Sequence, residues 1–187
     1  GLEQFLWFKQ TLENSDATFK FVFAHHMLGG VPYLEVGGAD AGYVRGGAEA
    51  ASYFEWGGQN EDGTPGFGDQ RPVADWGSDP IHQLMIDNGV SAFFHGHDHV
   101  FVYETLDGIV YQECPVPSNP RYGDGFYSPD YYKGVKIGNS GHLRVTVSPD
   151  SARVDYVRSV LPADEPLVEG GKSVRNLDIS YSYTLRK

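Results

Sequence analysis

Residues 90–101 read Val-Ser-Ala-Phe-Phe-His-Gly-His-Asp-His-Val-Phe (VSAFFHGHDHVF), and this stretch decides the fold. Val90–Phe94 is a short, largely apolar run, preceded by Gly89 and ending in two aromatic residues, the pattern of a buried strand. It runs without a break into His95-Gly96-His97-Asp98-His99. In layered α/β proteins, ligand sites gather at the carboxyl ends of strands, where loops converge on a rigid sheet. His97 and His99 stand two residues apart, so a locally extended chain would project both imidazoles to one side. Gly96 offers a close backbone approach or a positive φ. Imidazole nitrogen is a common neutral ligand for ions such as Zn, Fe and Mn.

Working outward, Asp79 and Pro80 suit the cap and first position of a helix whose apolar face is Ile81, Leu84 and Met85 and whose stop is Gly89. A second buried strand is predicted at Phe19–Ala24 (FKFVFA), ending in His25-His26, with Lys20 its only charge. Before it, Leu2, Phe5, Phe8 and Leu12 mark an amphipathic helix over residues 2–14. After the histidines come two hairpins. Val100–Leu106 and Ile109–Cys114 flank Asp107-Gly108, a strong two-residue turn signal. Leu143–Val147 and Val154–Val157 flank Pro149-Asp150. The alternation of Leu177, Ile179, Tyr181, Tyr183 and Leu185 with polar residues gives a half-buried strand over 176–186. Two irregular stretches interrupt this order. Residues 29–79 carry 13 of the 24 glycines, and residues 115–141 hold four prolines and five aromatics. Their aromatic content favours ordered loops that shape access to a site or pack over the sheet.

The length of 187 residues fits one domain, and 40% apolar with 21% charged residues is a globular composition. No stretch reaches the roughly 20 apolar residues needed to span a bilayer. A formal net charge of −11 argues against a nucleic-acid or anionic-membrane surface, because phosphate backbones are bound by clustered Lys and Arg. A phosphate site here must therefore bring its own positive charge, for which bound metal ions are the obvious source. The single cysteine, Cys114, excludes an internal disulfide.

FVFAHH followed by a helix and VSAFFHGHDHVF resembles the last two metal motifs of the calcineurin-like metallophosphoesterase superfamily, which includes the purple acid phosphatases. Gly96–His99 matches that family's Gly-His-x-His motif and His25 its preceding strand-end histidine. GLEQFLWFKQTLE and GHLRVTVSPDSARVDYV resemble its helix after the Asn-His motif and its closing hairpin. The resemblance covers roughly residues 1–28 and 77–158 and leaves out the long loops and residues 159–187. It implies an α/β fold, part of a four-layer α/β/β/α sandwich with mixed sheets. It also implies hydrolysis of a small phosphomonoester or phosphodiester with two metal ions (Fe, Zn or Mn). His25 and His97 would ligate one ion and His99 the other. The family's earlier Asp-x-His, bridging Asp and Asn-His motifs are absent, and Met27 replaces its usual proline. This chain is accordingly expected to be the C-terminal portion of one catalytic domain, inactive alone, with metal partly or wholly lost. The general acid is expected upstream of Gly1, and the missing half would be a partner, with self-association as the substitute. Long Gly-, Trp- and Tyr-rich loops and an acidic surface point to a periplasmic or extracellular protein.

Other residues keep two readings. His26 is read as a supporting or substrate-facing group. His95 and Asp98 either orient the ligating rings or pack at the strand end. Arg45 is either a phosphate fork or a solvated loop residue. His82 and His142 read as ordinary. Two rival functions stand beside the phosphoesterase. His97-x-His99-x4-Glu104 matches the single-ion spacing of cupin barrels, and a non-enzymatic β-rich binding module would make the histidines structural.

Overall fold

The computed structural model describes residues 2–25, 81–125, 128 and 134–187. The loop 29–79 and the residues His26 and Arg45 therefore lie outside the described residues, as does part of the loop 115–141.

Helix α1 (Leu2–Glu13) and strand β1 (Phe21–Phe23) open the chain; helix α2 (Ile81–Asp87) and strand β2 (Ala92–His95) follow. The hairpin β3 (Phe101–Leu106) and β4 (Ile109–Glu113) turns at Asp107 and Gly108, with φ of +49° and +85°. Two consecutive positive φ values are what a tight hairpin with the right strand twist requires, and Asp-Gly supplies them. A short β5 (Val135–Ile137) precedes the second hairpin, β6 (Gly141–Val147) and β7 (Ser151–Arg158). The chain closes with β8 (Leu167–Glu169), β9 (Lys172–Val174) and β10 (Ile179–Arg186).

The strands form a mixed five-stranded sheet in the order β1-β2-β4-β3-β5, a three-stranded antiparallel sheet β10-β7-β6, and the β8–β9 ribbon. β1 and β2 are parallel, with Val22 opposite Phe93, and β2 is parallel to β4. The period of two along β2 explains the layering. Phe93 joins Val22, Ile109 and Tyr111 in a core under α1 and α2, where Phe5, Leu12, Ile81, Leu84 and Met85 pack. Ala92 and Phe94 turn the other way and meet Val154 of the antiparallel sheet, with Phe21, Leu143 and Leu185 beside them. Helices, mixed sheet and antiparallel sheet thus stack in three layers. This arrangement disposes of the cupin reading: β3, which carries Glu104, belongs to a mixed sheet covered by helices, not to a barrel.

Two polar residues on these elements serve the fold. The Lys20 ammonium donates to the carbonyls of Leu12 (3.2 Å) and Asn88 (2.8 Å), near the C-terminal ends of both helices, where a cation is favoured. His82, 2% exposed, contacts the Tyr111 hydroxyl at 2.5 Å through Nδ1 and Asp107 Oδ2 at 3.0 Å through Nε2.

Asp155 on β7 lies opposite Arg144 and Ser182, and only 3% of it is exposed. Burial pushes its carboxyl up, but bonds from Ser182 (2.6 Å), Arg144 (2.8 Å) and Arg153 (2.7 Å) outweigh this and hold it at about 2. A depressed carboxyl contributes stability above the unfolded value near 3.8 and loses it as pH falls toward 2. Asp155→Asn is therefore expected to lower unfolding stability by about 1–3 kcal/mol at neutral pH. The gap to wild type should narrow below pH 4, as read from urea midpoints across that range. An equal gap at all pH values would refute the assignment.

Candidate functional site

Parallel pairing of β1 with β2 brings the two histidine-bearing strand ends side by side. The ladder continues past the strands: Ala24 N–H donates to Phe94 O (3.0 Å) and Gly96 N–H to His25 O (3.0 Å). The rings of His25 and His97 consequently face each other edge-to-face, with centroids 5.7 Å apart.

His97 is oriented from behind. Its Nδ1 lies 2.9 Å from Oδ1 of Asp98, which is fully buried. A carboxylate only accepts, so this contact favours a proton on Nδ1, as in carboxylate–histidine–metal arrangements. Asp98 is supported in turn: its backbone N–H donates to Oε1 of Glu113 (3.1 Å), a fully buried carboxylate at the end of β4. The other oxygen of Glu113 lies 2.6 Å from His95 Nδ1. His95, Glu113, Asp98 and His97 are thus joined by successive polar contacts.

The local backbone differs from the extended chain expected for residues 97–99. His97 and His99 have φ of +85° and +60°, so the chain is coiled here and the two imidazoles do not share a side through strand alternation. The left-handed positions are the histidines themselves rather than Gly96. His99 is exposed. Among the described residues, no group of three or more His, Cys, Asp or Glu side chains stands in the arrangement of an ion site.

Tertiary bonds impose the coil. The side-chain amide of Asn139 donates to His99 O (2.5 Å) and to Gly123 O (2.9 Å). Gly125 lies so close that a Cβ there would come 2.2 Å from Asp98 O and 2.6 Å from His99 O. Gly125→Ala has no flexible neighbour to displace, so it is expected to push residues 98–99 out of place. Shifted His97 and His99 resonances, with a Tm drop of several degrees, would register this; spectra identical to wild type would refute it. Sequence reading missed Glu113, Asn139 and Gly125. A charged residue shortly after the apolar run Ile109–Tyr111 was the available signal for Glu113.

No family model and no curated protein sequence matches the chain. Among solved structures it is similar to the purple acid phosphatase PPD1 isolated from yellow lupin (Lupinus luteus) seeds, at 14% identity and a TM-score of 0.51. The match covers 98% of this chain but 28% of that one. At this identity the likeness concerns the fold alone, a mixed α/β arrangement. No helix among the described residues is long and apolar enough to cross a membrane.

Proposed function

We propose that this chain is part of a metal-dependent phosphoesterase that hydrolyses small phosphomonoesters or phosphodiesters with two ions of Fe, Zn or Mn. The observation that carries this reading is the His25–His97 pair at the carboxyl ends of adjacent parallel strands, with Asp98 bonded to Nδ1 of His97. The fold likeness to a purple acid phosphatase is consistent with it. His25 and His97 would hold one ion and His99 the other, while His95, Asp98 and Glu113 keep the loop and ring in place. Bound ions would supply the positive charge that an acidic protein otherwise lacks for in-line attack of water at phosphorus. The remaining ligands and the general acid would come from preceding polypeptide, which would also complete a four-layer α/β/β/α sandwich. We assign the protein to the periplasm or the exterior of the cell, a placement that an upstream sequence lacking a signal peptide would refute.

One observation favours a second reading. The pairing of His97 with Asp98 and of His95 with Glu113, part of a buried polar network, also suits a binding module with structural histidines. Metal analysis of the intact protein, together with hydrolysis of p-nitrophenyl phosphate and its bis ester, separates the two. The phosphoesterase reading expects about two tightly held ions and hydrolysis that chelation abolishes. A metal-free, inactive intact protein would overturn it.

A further inference from the structure

Arg158 is the largest fully buried side chain of the described residues, and every nitrogen of its guanidinium is engaged. Nη2 donates to Asn139 O (2.5 Å), Nε to Ser140 O (3.2 Å), and Nη1 to Ser180 Oγ (3.3 Å) and to Oε2 of Glu169. Its head also lies 5.3 Å from the centre of the Tyr156 ring. Glu169, on β8, accepts the Gly138 N–H through its other oxygen (3.1 Å). Segment 138–140 is therefore gripped from the side of the C-terminal ribbon. On its opposite side the Asn139 side chain spends all its hydrogen-bonding atoms: Nδ2 on His99 O and Gly123 O, and Oδ1 on the Val116 N–H (2.8 Å).

These contacts form one chain of direct bonds, Glu169–Arg158–Asn139–His99, from the peripheral ribbon to the backbone carbonyl of His99. A buried guanidinium left without its carboxylate would have to move or be rehydrated, because an uncompensated buried charge is costly. Asn139 would move with it, since its carbonyl is bonded to that guanidinium. The left-handed backbone of His99, at φ +60°, is uncommon for a residue with a β-carbon and persists only where its surroundings enforce it.

We infer that Asn139 is a positioning residue for His99, and that the β8–β9 ribbon, through Glu169 and Arg158, sets how well His99 retains a metal ion. This rests on the reading of His99 as a ligand. It gives the segment after residue 158, which lies outside the metallophosphoesterase resemblance, a role at the site.

The test uses the intact protein as wild type, Glu169→Gln, Asn139→Ala and His99→Ala, with Co2+ as the probe. Ring and amide resonances of His99 in metal-free protein report its orientation, and Co2+ titration reports the consequence. Glu169→Gln and Asn139→Ala are expected to move the His99 resonances, leave those of α1 in place, and weaken Co2+ binding about 10–100-fold. In a His99→Ala background, Glu169→Gln should add nothing. A purely structural role would lower the unfolding midpoint while leaving His99 resonances and Co2+ affinity unchanged, and that result overturns the inference. Glu169→Gln alters a partly exposed ribbon residue, so it decides the point should Asn139→Ala fail to fold. If His99→Ala leaves Co2+ affinity unchanged while Asn139→Ala still moves the His99 resonances, the ligand reading fails and the positioning stands. If His99→Ala weakens Co2+ binding and neither other variant does, the positioning fails and the ligand reading stands.

Discussion

Replacing His97 by alanine is expected to cost the intact protein more of its metal affinity than the about 10–100-fold that follows from losing an outer-shell partner. His97 is the ring that the structure prepares most completely. Asp98 accepts a hydrogen bond from its Nδ1, and Glu113 accepts one from the Asp98 backbone amide. The ring itself stands edge-to-face with that of His25. Asp98→Asn should fall within the 10–100-fold range, because asparagine can still accept at one atom but no longer favours a single tautomer. The order His97→Ala, then Asp98→Asn, then wild type is the diagnostic feature. A Zn2+ competition titration reads it directly, with thermal unfolding run alongside to separate lost ligation from lost fold. Equal affinity in all three proteins would remove His97 from the site and, with it, the main support for the phosphoesterase reading.

What could be read from residue order was whatever local chemistry dictates. VSAFF and FKFVFA are apolar enough that only buried strands suit them, and Asp107-Gly108 accepts the two positive φ values of a tight turn. Because each histidine motif follows directly on such a strand, parallel pairing was sufficient to bring His25 to His97. The shape of residues 97–99 was not legible, since it is set by groups far along the chain: Glu113 on the Asp98 amide, Asn139 on the His99 carbonyl, and the missing side chain at Gly125. An i, i+2 pair of histidines reads as extended by default, and only those distant bonds reverse it. The β8–β9 ribbon is different. Its Gly170-Gly171 turn, with φ of +54° and +76°, was a hairpin signal present in the sequence. The importance of its Glu169 emerges only once Arg158 is seen to be buried.

The second large effect concerns association. Phe23 on β1 is 71% exposed although it stacks on Phe94 with centroids 5.0 Å apart. Val145 and Val147 on β6 are 36% and 56% exposed. β1 and β6 each end their sheets among the described residues, and Phe21 of β1 and Leu143 of β6 belong to one apolar cluster. Edge strands with bare apolar side chains template further pairing. Each large apolar side chain fully removed from water contributes about 1.5–3 kcal/mol. We propose that preceding polypeptide of the same domain covers these edges in the intact protein. Without it, the 187-residue chain is expected to self-associate, with an average mass in sedimentation that rises with concentration. Phe23→Lys and Val147→Lys should drive it back toward monomer, since lysine on an edge strand opposes pairing and costs little where the side chain was already exposed. Adding the preceding polypeptide in trans should do the same while raising the unfolding midpoint. A chain that stays monomeric over a wide concentration range, unaffected by either lysine, would show that these edges need no partner.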